Sequence, residues 1–333
     1  MKKKKIILIF VPILVVLLVL GIVFGNLFKK DSNSNESNSN QIDNVNYSYN
    51  NIYLADADNV LIPLSIKYES FDSVGEELLY LVSMLKKDSK LSTNKFNGLL
   101  PSECKVNSID LNEGIVSVNF DENFLNYEAK NELKLLESLV WTLCDYQDVL
   151  GVSLLVNDKA LDKMPVNNTP IDKVLTKKIG INNFLLTSTI MGSGQRVLTY
   201  YEKNINDTYY YVPVTHYVSN KNELSIYDLT INTLFKDPGI TSDLQVCRIF
   251  KDTQMVSTSM LSENILYVSL TEDILFDEVT VSLDVYNVLK QVTCLLDDVK
   301  DVSFLLELEE IAVNGKVNEE SQVSKIELNK YYI

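Results

Sequence analysis

Histidine is almost absent from this sequence: His216 is the only one among 333 residues. A Ser/His/Asp or Cys/His centre would have to use it, yet no Ser or Cys lies in a recognisable nucleophile elbow or oxyanion context. Thr215 and Tyr217 flank it in a predicted strand, so we predict that His216 is a surface residue of that strand. The sequence therefore contains no recognisable centre of either hydrolytic type.

Cysteine is also scarce, and its four positions show no metal-ligand spacing: Cys104, Cys144, Cys247 and Cys294. Disulfides are chemically possible outside the cytoplasm, but the predicted topology puts Cys104 and Cys144 at opposite ends of one module. We therefore predict four reduced thiols. Cys144 and Cys294 fall on apolar helix stripes and are predicted to be small core residues.

Other motifs of known chemistry are incomplete. Met191-Gly192-Ser193-Gly194 is not G-x-S-x-G, and Asp56-Ala57-Asp58-Asn59 lacks the glycine and the distal glutamate of a calcium loop. Paired acids fall in predicted turns and helix starts, where they cap free N–H groups: Asp56 and Asp58, Asp121 and Glu122, Glu272 and Asp273, Asp297 and Asp298. We predict no catalytic, cofactor-binding or metal-ligating residue, no cofactor, and no enzymatic activity.

Positive charge is confined to one end of the chain. Six lysines and no acid lie in the first 30 residues, and the remainder has 24 Lys and Arg against 45 Asp and Glu, a net charge of −21. Such a field disfavours nucleic acid, anionic lipid and teichoic-acid-like polymers as partners. Basic or neutral protein partners remain open.

The N-terminus predicts a membrane anchor, residues 1–30. Lys2 to Lys5 precede 23 uncharged residues, 6–28, which as a helix would span about 35 Å and cross a bilayer. A cleaved signal peptide is the alternative, but its usual small-residue site is missing. No cysteine precedes Cys104, which excludes a lipoprotein anchor. The lysines place the N-terminus in the cytoplasm, and residues 31–50 are predicted to form a flexible polar stalk outside.

The remaining sequence contains a duplication. NEGIVSVNFDENFL at 112–125 and SENILYVSLTEDIL at 262–275 are identical at five of fourteen positions, and the 150-residue offset continues without insertion on both sides. Ile62-Pro63-Leu64 corresponds to Val212-Pro213-Val214, and GVSLLV at 151–156 corresponds to DVSFLL at 301–306. Chance would not keep a proline, a helix stripe and two strands in one register.

Each copy predicts the order β-α-β-β-α-β, an α+β fold with helices packed on one face of a small sheet. The first module is predicted over 51–160, the second over 197–318, and a tail over 319–333. A short hairpin precedes each first strand, and Asn112-Glu113-Gly114 predicts a tight turn. The prolines Pro63 and Pro213 indicate edge strands or bulges.

Two further features carry predictions. Residues 161–196 form a linker in which Thr169-Pro170 predicts the start of a short helix. Tyrosine is abundant, with 18 residues, and Tyr200-Tyr201 and Tyr209-Tyr210-Tyr211 fit half-buried cross-strand pairs or exposed interface anchors. The sequence leaves both readings of the tyrosines open.

The copies resemble the GerMN-domain family of sporulation and spore-germination proteins. The resemblance rests on LIPLSIKY and YVPVTHYV, on GLLPSECKVNSIDLNEGIVSVNFDENFL, and on LVWTLCDYQDVLGVSLLVNDK, and it covers about residues 52–160 and 197–316. The second copy departs from the pattern at Asn264, at Asp237-Pro238-Gly239 and at Thr271. A predicted membrane helix also replaces the lipoprotein anchor that is frequent in the family.

The resemblance implies a non-enzymatic role outside the membrane of a Gram-positive cell, in modules similar to ring-building domains. We therefore expect an interaction or assembly module of the sporulation or germination envelope machinery. Its expected partners are envelope or sporulation-complex proteins, with homo-oligomers possible. The alternatives are a cell-wall-binding accessory protein of growing cells and an envelope hydrolase, for which the sequence offers no catalytic pair.

Overall fold

The computed structural model describes residues 46–183, 194–238, 243–307, 309–314 and 328–332. The predicted anchor 1–30, residues 31–45 of the stalk, and Met191 to Ser193 lie outside these ranges. The first strand begins at Tyr47, inside the range predicted for the stalk. Within the part of the chain that the structure describes, no helix is both long and apolar enough to cross a membrane.

The first module opens with a hairpin and continues with a mixed sheet. Its elements are β1 (Tyr47–Ala55), β2 (Leu61–Glu69), α1 (Val74–Met84), β3 (Val106–Asn112), β4 (Ile115–Phe120), α2 (Glu132–Leu143), β5 (Gly151–Val156) and β6 (Lys159–Ala160). β1 and β2 pair antiparallel, and the sheet order of the others is β3-β4-β5-β6. β4 and β5 run parallel because α2 carries the chain back between them.

The second module repeats this pattern. Its elements are β7 (Gln195–Ile205), β8 (Thr208–Val218), α3 (Ile226–Leu234), β9 (Leu244–Val246), β10 (Met260–Ser262), β11 (Ile265–Ser269), β12 (Thr280–Val281), α4 (Leu283–Thr293), β13 (Asp301–Leu306) and β14 (Glu309–Val313); β15 (Lys330–Tyr331) follows. Ile115 lies opposite Gly151, and Ile265 lies opposite Asp301. Both pairs keep the 150-residue offset, which confirms the duplication at the level of strand register.

The predicted single sheet per module is wrong: the hairpin and the mixed sheet are separate. In the first module α2 lies against the free edge of β1, where Ser138 Oγ donates to the Tyr53 carbonyl oxygen at 2.7 Å. Thr142 Oγ1 accepts from the Tyr53 N–H at 3.1 Å. Because helix side chains occupy these edge groups, no further strand can add to β1 there. In the second module β9 pairs with β7 instead.

Local signals place the helices. Ser73, Ser225 and Ser282 are the N-caps of α1, α3 and α4, and each side chain accepts a hydrogen bond from the backbone N–H three residues later. Such caps satisfy N–H groups that have no partner inside the helix. The inward faces are buried as the periodicity predicts: Leu78, Leu81, Leu136, Leu139, Val116, Val118, Leu266 and Val268. One hydrophobic core includes residues of both modules.

The linker does not form the predicted helix at Thr169-Pro170. Thr169 instead donates its hydroxyl to Glu132 Oε1 at 2.5 Å, and the backbone N–H of Asn167 donates to Glu132 Oε2 at 2.7 Å. Tyr127 adds its hydroxyl to Glu132 Oε2 at 2.6 Å. Tertiary bonds to one carboxylate thus replace the helical ones, and a 3-10 turn at Lys177–Ile179 is the only helical element in described residues 161–183.

Pro213 lies on the edge strand β8, as predicted, whereas β2 with Pro63 has β15 on its second side at Ser65 and Ile66. β2 and β8 lie near each other, joined by two buried amides. Asn182 Nδ2 donates to the carbonyl oxygens of Leu61 and Pro213 at 2.8 and 3.0 Å. Asn329 Nδ2 donates to those of Pro63 and Tyr211 at 2.7 and 2.8 Å.

Candidate functional site

A cleft of about 590 Å³ lies between the two modules. The ends of α2 and α4, the start of β7 and linker residues 176–178 line it. Its walls combine polar side chains with apolar ones, among them Leu150, Leu198 and Leu296. Pockets of this kind occur preferentially where two domains meet.

The linker passes between the modules and forms one wall of the cleft. Trp141 of α2 donates its Nε1–H to the Gly180 carbonyl oxygen at 2.8 Å. On the other side, the Thr215 N–H donates to the Ile181 carbonyl oxygen at 2.8 Å, and Thr215 Oγ1 accepts from the Ile181 N–H at 2.9 Å. Gly180 has φ +85°, and a Cβ there would lie 3.2 Å from Thr215 Oγ1. Glycine therefore permits both the turn and the close approach.

Three basic residues lie at this cleft in an otherwise acidic protein. Lys177 forms an ion pair with Asp145, and its Nζ lies 5.0 Å from the centroid of the Trp141 ring. Lys178 pairs with the exposed Asp297 at 3.7 Å, and Arg196 is exposed. The exposed Lys178–Asp297 pair contributes little stability, whereas the Lys177–Asp145 pair is largely buried.

The cysteines of the cleft pack against the hydrophobic core, but they are less buried than the prediction of core residues requires. Cys144 and Cys294 are the C-caps of α2 and α4, and both are half-buried. Burial raises the pKa of Cys144 to about 11 and also raises the pKa of Cys294. Both thiols are therefore protonated at neutral pH and are poor nucleophiles. All four cysteines are free thiols, and Cys104 and Cys247 are buried.

The prediction that His216 lies on the surface is wrong. Its side chain is 8% exposed and packs edge-to-face on Tyr201, with ring centroids 5.6 Å apart. Burial lowers the pKa of His216, so the ring is neutral at pH 7. Alternation could have shown this, because Val212 and Val214 precede His216 at intervals of two and are buried.

Asp56 lies in a turn, as predicted, but it also makes an ion pair that the sequence did not reveal. Its Oδ1 accepts from the N–H groups of Asp58 and Val60 at 3.0 and 2.9 Å. Lys203 of the second module reaches Asp56 Oδ2 at 2.5 Å and Asp58 Oδ2 at 2.6 Å. No cluster of metal-ligating residues occurs among the described residues.

The other predicted acid pairs are dispersed in turns. Asp121 Oδ1 accepts from the Lys105 N–H at 2.9 Å, Asp298 accepts from the Tyr227 hydroxyl, and Glu272 and Asp273 lie in a 3-10 turn. The structure does not bring these pairs together into one site. The tyrosines of β7 and β8 differ in their exposure to solvent. Tyr200, Tyr201 and Tyr210 are buried. Tyr209 is exposed, with the Arg248 guanidinium 3.7 Å from its ring centroid.

Comparison with known proteins identifies this architecture. The family described as "Germane: Sporulation and spore germination" matches residues 51–162. The chain is 28% identical over 278 residues to the spore germination protein GerM of Bacillus subtilis (strain 168), which covers 81% of this chain and 74% of that protein. The solved tandem GerMN domains of the sporulation protein GerM from Bacillus subtilis match with a TM-score of 0.68 and 26% identity, over 81% of this chain and 92% of that one. The chain is thus similar to GerM across both of its modules.

Two GerMN domains in tandem account for the repeat, and the predicted α+β class is confirmed. The departure at Asn264 leaves the GerMN turn intact. Glu113 and Gly114 have φ of 47° and 79°, and Glu263 and Asn264 have φ of 51° and 65°. Asparagine is among the residues that adopt this left-handed conformation most readily, so it replaces the glycine at small cost.

Proposed function

We propose that this protein is a membrane-anchored, extracytoplasmic and non-catalytic assembly module of the sporulation or spore-germination envelope machinery. The observation that carries the proposal is the match to the tandem GerMN domains of GerM across 81% of the chain. The coverage includes both modules and so favours a role for the pair rather than for one domain. Its partners would be envelope or sporulation-complex proteins, and a homo-oligomer is compatible with the role.

The way the modules are joined supports a platform role. The Asn182 and Asn329 bridges, the ion pair of Lys203 with Asp56, and the linker between Trp141 and Thr215 all connect the two modules. Breaking a buried hydrogen bond or ion pair costs free energy, so these contacts oppose hinge motion of one module relative to the other. A unit that keeps its surfaces at fixed spacing loses less entropy when partners assemble on it.

The chemistry of the cleft favours binding over catalysis. Its two thiols are protonated at neutral pH, and its Lys177 ammonium is held by Asp145. A nucleophile needs a lowered pKa or an adjacent base, and the raised thiol pKa values have the opposite effect. A partly apolar cleft with a basic rim can hold a side chain or a small anionic group without reacting with it.

The anchor belongs to the same proposal. Residues 6–28 would cross the membrane with the N-terminus in the cytoplasm, and residues 31–46 would separate the folded part from the lipid. The acidic composition of the remaining chain suits a protein partner rather than nucleic acid.

A fluorescent fusion at native expression, followed through growth and starvation, tests the proposal. Signal that appears only after starvation, at the engulfing membrane, would support it. Uniform envelope signal in growing cells would overturn it. In that case, retention of the purified protein on peptidoglycan would establish the cell-wall-binding alternative.

A further inference from the structure

The second module displays three large, exposed apolar side chains, and two of them stand where the first module has a polar or small residue. Phe276, Val279 and Val256 are 67%, 69% and 64% exposed. Phe276 lines one open concavity of about 630 Å³, and Val256 lines a second of about 600 Å³. The two concavities share Glu272 and Leu306, so they form one continuous surface, here called the 256/276 surface. Clustered exposed apolar groups mark interaction sites more often than single ones do.

The turn that carries Phe276 and Val279 has a fixed shape. The Phe276 N–H donates to the Thr280 carbonyl oxygen at 2.8 Å. Asp277 Oδ1 accepts from the Thr280 N–H at 2.8 Å and from Thr280 Oγ1 at 2.5 Å. Glu278, at the tip, has φ 70°, a conformation that costs energy in a residue other than glycine. The structure thus holds the backbone that carries the two apolar side chains in one shape before any partner arrives, which lowers the entropy cost of binding.

The duplication provides an internal comparison. With the 150-residue offset, Phe276 corresponds to Asn126 and Val279 corresponds to Ala129. The aromatic residue of this segment in the first module, Tyr127, is buried, and its hydroxyl donates to Glu132 at 2.6 Å. The fold therefore does not require an exposed phenylalanine at this turn. The stability of the fold alone therefore does not explain why the second module exposes Phe276 at this turn.

The charges around the 256/276 surface indicate what it binds. The residues lining its concavities include five acids and no lysine or arginine: Glu272, Asp273, Asp277, Glu278 and Glu307. Among the described residues, none of the five forms an ion pair. Apolar groups bordered by unpaired acids complement apolar groups bordered by bases.

We infer that the 256/276 surface docks a segment of a partner protein that presents large apolar side chains flanked by lysine or arginine. The inference rests on the proposed function in that it names the chemistry of one partner in the assembly. Phe276 is the central anchor, since buried aromatic residues supply a large share of binding energy in interfaces. The acids contribute orientation and association rate, which salt weakens.

The test uses the full-length protein and a synthetic peptide in which Trp and Leu alternate with Lys and Arg. The control peptide has Glu in place of every base. Titration calorimetry should show binding of the basic peptide alone, and Phe276→Ser should weaken it about tenfold or more. Leu125→Ser, at an exposed leucine of the corresponding turn in the first module, is the matched control and should leave the affinity unchanged. Glu272→Gln combined with Glu278→Gln should reduce both the affinity and its salt dependence.

Three results would overturn the inference: equal affinity of Phe276→Ser and the unaltered protein, equal binding of the acidic peptide, or Phe276-dependent binding to phosphatidylcholine vesicles. The last would assign the surface to lipid. Circular dichroism melting of each variant confirms that the fold is intact, as expected for exposed positions. The peptide titration needs no sporulating cell, so its failure is distinguishable from failure of the localisation experiment.

Discussion

Asn182 and Asn329 make the same pair of contacts with the two modules exchanged. Asn182 bonds the carbonyl oxygens of Leu61 and Pro213, and Asn329 bonds those of Pro63 and Tyr211. Leu61 and Tyr211 are 150 residues apart, as are Pro63 and Pro213. Strands β2 and β8 therefore meet with local two-fold symmetry, although Asn182 and Asn329 are not themselves 150 residues apart.

Replacing Asn182 should destabilise the protein strongly. In Asn182→Ala the Leu61 N–H and the carbonyl oxygens of Leu61 and Pro213 lose their side-chain partner. The expected loss in free energy of unfolding is about 3 kcal/mol, since buried groups left unpaired cost about 1–3 kcal/mol each. Urea unfolding of purified protein measures it. Asn126→Ala, at an exposed position, is the control, and an equal effect of both changes would refute the bridging role.

Glu132→Gln should weaken the attachment of the linker to α2. It should also make the free energy of unfolding depend less on pH in the acid range. Burial alone would raise the pKa of Glu132, but hydrogen bonds from Thr169, Tyr127 and Asn167 outweigh it, and the pKa lies below its usual range. This contribution is present above the unfolded pKa of about 4.3 and is lost as pH falls through the folded pKa. We expect a loss of about 2 kcal/mol at pH 7 and a flatter stability profile below about pH 4.3.

Limited proteolysis measures directly how firmly the linker is attached in Glu132→Gln. Cleavage within residues 161–175 should accelerate in Glu132→Gln, because the carboxylate no longer holds Asn167 and Thr169. Glu128→Gln is the control, as Glu128 is exposed and pairs with Lys87 and Lys130 on the surface. Identical cleavage rates in both variants would show that Glu132 does not pin the linker.

Alkaline pH should unfold the protein through its buried tyrosines. Burial raises the pKa of Tyr53, Tyr200 and Tyr201, so these residues stay protonated when the unfolded chain ionises near pH 10. The unfolded state then binds fewer protons, and stability falls above about pH 10 by up to about 1.4 kcal/mol per pH unit for each residue. Burial alone would lower the pKa of Lys203, but the hydrogen bonds that its ammonium group donates to Asp56 and Asp58 raise the pKa, which also makes stability fall with rising pH.

Urea unfolding at a series of pH values above 9 tests this expectation, with tyrosinate absorbance as a second probe. Tyr200→Phe should reduce the slope, and Tyr332→Phe, at an exposed position, should leave it unchanged. A slope that is the same in all three proteins would exclude Tyr200 as a contributor.

Val268→Asp should unfold the second module. Val268 is fully buried on β11, opposite Phe304, and an aspartate there would place a charge in the core at a cost of about 4 kcal/mol or more. Val279→Asp, at an exposed position, should melt as the unaltered protein does. Normal thermal melting of Val268→Asp would mean that the register of β11 is wrong.

The repeated turn predicts an asymmetry between two substitutions of Gly114. Both Gly114→Asn and Gly114→Val place a Cβ 2.8 Å from Leu150 Cδ1, so this contact burdens them equally. Gly114→Val should cost about 1 kcal/mol more than Gly114→Asn, because a β-branched residue is strained at φ 79°, whereas Asn264 adopts the same conformation in the second module. Equal urea midpoints for the two variants would contradict this account.

Much of the fold could be predicted because its signals are local. Serine caps, helix stripes, strand alternation and the Glu113-Gly114 turn each depend on residues within about one turn or strand of each other. The predicted helix at Thr169-Pro170 failed for the opposite reason. Its cap and proline are genuine local signals, but Glu132, in α2, binds Thr169 and the neighbouring backbone more strongly.

The sequence by itself determined the duplication, the strand and helix order of each module and the acidic character of the chain beyond residue 30. Only the tertiary structure decided how the modules join and which surfaces remain exposed. The bond from Asn329 to Pro63 spans 266 residues and that from Asn182 to Leu61 spans 121. No periodicity reports on contacts at such separations, because they depend on where two folded units meet rather than on local conformation.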